Sequence, residues 1–177
     1  MTREQLEHLI RAAAVIAQEN AIVVIGSQAI LAQFPAAPEP IRASMAADLF
    51  PLQNPERADL IEGSIGELSP FHQTYGYYAQ AVSEETARLP QGWKERLVVV
   101  QNENTLGFQG LCLEVHDLLV AKVIAGREKD LAFLRTAAEH QMADVETLFR
   151  RLATVEAEPE VLTAAAAAIG RAFRGET

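Results

Sequence analysis

One cysteine, Cys112, stands in a chain of 177 residues. It excludes an internal disulfide and any zinc site built on paired cysteines, and it fits a reducing compartment. No apolar run approaches the ~18 residues that a membrane span needs. The one biased stretch, Ala164 to Ala168, is short and bounded by Thr163 and Arg171. Leu6 to Ala17 is apolar on one face only and is interrupted by Arg11, which predicts no signal peptide. A cytoplasmic protein without a membrane partner is therefore expected. Basic residues are scarce: 15 Lys and Arg against 24 Asp and Glu leave a net charge of −9. A general grip on nucleic acid needs a basic field, and this chain lacks one overall. Its densest basic cluster is Lys122, Arg127 and Lys129. The acid excess falls on predicted helices, over 56–67 and 139–146, and reads as solvated helix faces.

A chain of this size buries a core without disulfide staples. Leu6, Leu9, Ile10, Ala13 and Ile16 follow the helical period, so residues 2–20 read as an amphipathic helix, with Thr2 and Gln5 as a capping box and Asn20 as its stop. Ala21 to Ile25 is a β-branched run and reads as a strand buried on both faces. Gly26-Ser27 ends it, a short helix is predicted over 28–34, and Pro35, Pro38 and Pro40 exclude regular structure after that. A second strand is predicted over 45–52. Asn54-Pro55 opens a helix with the apolar stripe Leu60, Ile61, Ile65 and Leu68, which Ser69-Pro70 stops. Further strands are predicted over 75–82, 96–100 and 111–115, with one helical turn at 83–85 and a hairpin loop over 101–110. From Asp117 the pattern is helical, broken at Gly126, resumed over 129–140, capped again at Asp144, and ending with a helix from Pro159 to near Phe173. The expected fold is α/β (α+β), a mixed twisted sheet flanked by helices. Its domains are an α/β core over 1–116 and a helical part over 117–177.

Three features bear chemistry. In the strand–Gly26–Ser27–helix turn, glycine lets backbone approach a phosphate and serine adds a hydroxyl donor. Such turns are also common without a ligand. Asp48 lies inside an apolar strand pattern, where a carboxylate avoids burial unless it is paired, bound to metal, or turned to solvent. Lys122 sits among Leu118, Leu119, Val123 and Ile124, so its stem can lie on the core while its ammonium meets a phosphate or simply reaches water. Arg127, Lys129 and Asp130 follow the break at Gly126.

Together these residues resemble the nucleotidyltransferase superfamily, and more closely the AbiEii-like nucleotidyltransferases of type IV toxin–antitoxin and abortive-infection systems. Arg42-Ala43-Ser44-Met45-Ala46-Ala47-Asp48 is similar to that family's Arg-x-Ser/Thr-x-acid-x-Asp strand. Asp117-Leu118 through Lys122 to Ala125-Gly126-Arg127-Glu128-Lys129-Asp130 is similar to its later motif. The stretches 69–76 and 92–96 look like an uncharacterised branch of it. The resemblance implies transfer of NMP from an NTP to an RNA (tRNA included) or protein acceptor, with Mg²⁺ or Mn²⁺. It implies Asp48 as a metal ligand, Asp48, Lys122 and Asp130 as catalytic residues, and Gly26, Ser27, Arg42, Ser44, Arg127 and Lys129 as nucleotide-binding or bracing residues. A cognate antitoxin is the implied protein partner.

The chain departs from the family at the metal pair. Alternate strand residues share a face, so an acid-x-Asp pair reaches one cation. Here the first acid position holds Ala46, which cannot ligate, and the place nearest a third family acid holds Gln80. The sequence is compatible with a natural loss and with an introduced one. It is also compatible with a non-catalytic nucleotide-binding or toxin–antitoxin interaction module, and with a scaffold that takes no ligand.

Overall fold

The computed structural model of the chain describes residues 1–175. In chain order it contains α1 (Arg3–Ala17), β1 (Ala21–Val24), α2 (Glu39–Arg42), β2 (Ala46–Pro51), α3 (Ala58–Ile65), α4 (Pro70–Tyr75), β3 (Tyr78–Ala81), β4 (Val98–Val100) and β5 (Gln109–Cys112). The helices α5 (Val115–Ala125), α6 (Glu128–Glu139), α7 (Val145–Leu152) and α8 (Pro159–Arg174) follow. The fold class is mixed α/β, as expected, with one open five-stranded sheet and flanking helices. The chain divides into two compact units: residues 1–86 with 97–113, and residues 87–96 with those from 114 onward.

The first unit holds the whole sheet, in the order β3-β2-β1-β5-β4. β1 runs antiparallel to β2 and parallel to β5, β2 runs parallel to β3, and β4 and β5 form the expected hairpin. Register sorts the side chains, because directly paired residues share a face. Ile22, Val24, Leu49, Ala47, Ala79 and Cys112 line one face and are fully buried. α1 covers this face so closely that a Cβ on Gly110 would stand 2.3 Å from Ile10 Cδ1. Burial pushes the Cys112 thiol up to about 12. The other face carries Ala46, Asp48, Tyr78 and Gln80 toward one edge and is only partly covered.

α1 has the expected capping box but ends at Ala17, with Gln18 left-handed at φ 53°. Its one buried acid, Glu7, accepts bonds from Asn102 Nδ2 (2.7 Å) and Asn104 Nδ2 (2.9 Å), tying the β4–β5 loop to the helix. Four expectations need correction. The segment after Gly26 is a 3₁₀ helix, Ser27–Ala32. The proline-rich stretch still forms α2, because Pro40 sits in its first turn, where no N–H bond is lost. Asn54 stands at the N-cap position before Pro55, as expected, but of a three-residue 3₁₀ turn, and its side chain does no capping: its Nδ2 donates to Glu19 Oε1 at 2.6 Å, and only Ile61 and Ile65 of the proposed stripe are buried. Ser69-Pro70 begins a helix, α4, rather than ending one. Ser69 Oγ accepts the His72 N–H, and Tyr75 therefore lies in that helix and not in β3.

In the second unit, α5 to α8 pack on one another. Gly126 closes α5 in the left-handed region at φ 65°, and Asp144 caps α7 by accepting the Thr147 N–H. Among the described residues no helix is long and apolar enough to cross a membrane.

Candidate functional site

Gly26 and Asp48 meet across the sheet. The Ile25 N–H donates to the Asp48 carbonyl at 3.1 Å, which carries the β1–β2 ladder one residue past β1. The next residue, Gly26, has ordinary extended backbone at φ −83°. Space, not conformation, requires glycine there. A Cβ on residue 26 would stand 1.9 Å from Asp48 Oδ2, 2.5 Å from Cγ and 2.7 Å from Cβ. The Asp48 carboxylate thus occupies the room that the absent side chain leaves, directly beside the turn to Ser27.

The next side chain is Gln28. It is completely buried, and neither end of its amide has a hydrogen-bond partner among the described residues. Nothing in the sequence pattern singles it out, since glutamine in a short helix looks like a surface residue. Arg42 and Ser44 brace the entry to β2. Arg42 Nε donates to the Ala37 carbonyl at 2.5 Å, and the N-terminal ammonium donates to the Arg42 and Ser44 carbonyls. Ser44 Oγ accepts the Ala46 N–H at 3.1 Å.

Ala46 and Asp48 share a face, two residues apart on β2. Their partners on β3 are Tyr78 beside Ala46 and Gln80 beside Asp48. The residues around Asp48 thus offer a methyl, a phenol and an amide where a divalent-cation site needs further carboxylates. Among the described residues no group of three His, Cys, Asp or Glu could hold a metal ion. The donor set does not fit the paired-acid Mg²⁺ or Mn²⁺ site that the resemblance implies.

Lys122, Arg127 and Asp130 come together in the second unit. Asp130 is the third residue of α6 and is 1% exposed. It accepts from Lys122 Nζ at 3.0 Å and from Arg127 Nε at 2.5 Å. Burial alone would raise its pKa, but the Arg127 and Lys122 bonds outweigh that and hold it below the usual value. Lys122 is itself buried, its ammonium 4.3 Å from the centre of the Phe133 ring. Lys129 is exposed and outside this cluster.

A second ionic cluster, in the same unit, escaped the sequence reading. Asp117 is fully buried and takes a two-pronged grip from Arg96, Nε to Oδ2 at 2.8 Å and Nη2 to Oδ1 at 3.0 Å, with Arg151 at 3.5 Å. Its partners lie 21 and 34 residues away in sequence, a separation that leaves no local pattern. Burial pushes the Asp117 carboxyl up to about 6 against the pull of Arg96, and Glu114 adds to the rise. A carboxyl raised on folding binds more protons folded than unfolded, so its contribution is full below 3.8 and lost as pH rises through about 6. Asp117→Asn should flatten this part of the stability–pH curve. Urea denaturation at half-unit steps through that window measures it.

A mixed sheet with a strand, a glycine turn and an acid-bearing antiparallel neighbour is the framework of a nucleotidyltransferase domain. The family described as nucleotidyltransferase of unknown function (DUF6036) matches residues 4–165, and the chain belongs to that family. No curated protein and no solved structure matches it.

Proposed function

We propose that this chain binds a nucleoside triphosphate on the partly covered face of its sheet and that, with alanine at position 46, its transfer of NMP to an RNA or protein acceptor is impaired. The observation that carries this reading is the Asp48 carboxylate seated in the space that Gly26 leaves, one residue from the Ser27 hydroxyl. Ser27 and the amides of the turn are the phosphate donors. The dipole contributes little, because the helix that follows is a six-residue 3₁₀ segment. The Gln28 amide, fully buried in the same 3₁₀ segment, supports a buried water behind the turn rather than a direct contact with the ligand. In an active relative an acceptor hydroxyl attacks the α-phosphorus and pyrophosphate leaves. In this chain only Asp48 of the acid pair is present to support that displacement.

The finer placement, in an AbiEii-like toxin branch with a cognate antitoxin in the cytoplasm, is supported by the Asp117–Asp130 motif. There Lys122 and Arg127 neutralise Asp130, and Lys129 faces outward toward an acidic partner such as an RNA end.

Ala46→Glu tests the reading. It puts a second carboxylate beside Asp48, and like charges at close range are costly without a cation. The variant should melt lower than the parent without Mg²⁺ and recover on adding Mg²⁺ or Mn²⁺, by linkage to binding. It should also gain transfer from radiolabelled NTP to RNA or protein. A melting curve indifferent to both cations removes Asp48 as a metal ligand and with it the catalytic lineage of the site. Unchanged NTP affinity in Ser27→Ala and Asp48→Asn, read by calorimetry, would remove the nucleotide from this site.

A further inference from the structure

We propose that the His72–Tyr78 ring pair is the docking site for the nucleobase, a site that rests on the nucleotide reading above and fixes where the base end of the ligand lies. The register supplies the geometry. The turn at Gly26 lies against the Asp48 side chain, Asp48 shares a face of β2 with Ala46, and Ala46 is paired with Tyr78. The turn after β1, the Ala46–Asp48 face of β2 and Tyr78 on β3 thus follow one line across the sheet. Two strand spacings separate its ends, about 10 Å. A nucleotide with its phosphates at Ser27 spans that gap and brings its ribose over Ala46, where a methyl leaves room.

The far end of the line is built for a flat ring. The His72 and Tyr78 rings lie 4.5 Å apart, tilted by 44°, and both are only partly buried. His72 is locked: its Nδ1 accepts the Leu68 N–H at 3.1 Å, which leaves Nε2 as the donor of the neutral ring. Holding that lock costs the backbone, since Leu68 is left-handed at φ 63°, an uncommon state for a branched residue, with its side chain 77% exposed. The neighbouring Glu67 takes the Tyr78 hydroxyl bond, and Gln73 Nε2 donates to the Leu68 carbonyl. One turn thus orients both rings.

Charge gives the ligand its direction. The Tyr78 phenol is raised by burial and then by the carboxylates of Glu67, Asp48 and Glu62. Glu67 and Glu62 at the ring end turn phosphate away and accept exocyclic base amines, while Asp48, which stands beside the turn as well, accepts a ribose hydroxyl between the two ends.

Calorimetric titration with ATP, GTP, CTP, UTP and inorganic tripolyphosphate tests this, with and without Mg²⁺. Base–aromatic stacking lost to a small side chain weakens binding by about five- to a hundred-fold. His72→Ala and Tyr78→Leu should lose that much affinity for the NTPs and none for tripolyphosphate, whereas Ser27→Ala should weaken both. Equal affinity of the ring variants and the parent for every NTP overturns the base site and leaves the phosphate reading standing. Failure of the parent to bind any of the five overturns both. Should the variants unfold, the parent decides: contacts from the base protons to the Tyr78 and His72 ring protons in NMR are expected, and their absence at saturation overturns the site.

Discussion

Asp130→Ala is expected to destabilise the protein by about 3–5 kcal/mol, because it takes away the carboxylate that balances the buried Lys122 ammonium. For a chain of this length the melting temperature should fall by on the order of 10 °C. Lys122 is 8% exposed and cannot be rehydrated without opening α5 or α6, whereas Arg127, with a side chain 61% exposed, simply turns to water. The pair, not the single residue, carries the penalty. Removing both charges in Lys122→Met with Asp130→Leu should restore most of the stability, since an apolar pair of similar volume avoids the desolvation cost. A thermal melt of the two variants decides between this and a purely local helix-capping role. A capping loss would be about 1 kcal/mol and would not be rescued at Lys122.

Gly26→Ala is the second large effect. An added Cβ at 1.9 Å from Asp48 Oδ2 and 2.7 Å from its Cβ is not relieved by turning the carboxylate alone, so β2 and the turn must move apart. Overpacking of this kind costs about 1–3 kcal/mol. The functional loss should exceed the stability loss, with NTP binding falling below detection in calorimetry while the protein still folds. Asp48→Gly in the same chain removes the three nearest atoms. The double variant should regain its melting temperature and stay unable to bind. A Gly26→Ala protein that binds NTP like the parent would mean that the carboxylate position beside the turn is irrelevant to the ligand.

The strand cores and most helices were legible in the sequence because local physics decides them: the β-branched run before Gly26, the Thr2 and Asp144 caps, the left-handed Gly126. α4 was not, because Ser-Pro serves equally as an ending and as an N-cap with its first residue, and only the packing of Phe71 and Tyr75 against His8 settles which. Gly26 was singled out, but for backbone approach to a phosphate. That its missing Cβ makes room for Asp48 depends on the strand register, which no single segment encodes. Gln28, Glu7 and the Arg96–Asp117–Arg151 cluster were invisible for the same reason: a buried polar residue looks like a surface one until its distant partners, or their absence, are in view.

The parallel pairing of β1 with β5 has a consequence for how the chain comes to be folded. Ala21 must wait for Gln109 before the middle of the sheet exists, and the intervening chain first leaves for the second unit at residues 87–96 and then returns. On the ribosome, β1, β2 and β3 emerge as a three-stranded fragment with the flank of β1 open. Such long-range closure is slow, and an unfilled strand edge invites pairing with another chain. Nascent protein should therefore be most prone to self-association in the interval before residue 113 clears the exit tunnel, and a chain ended anywhere short of Leu113 should persist as an aggregate rather than as a smaller soluble fold.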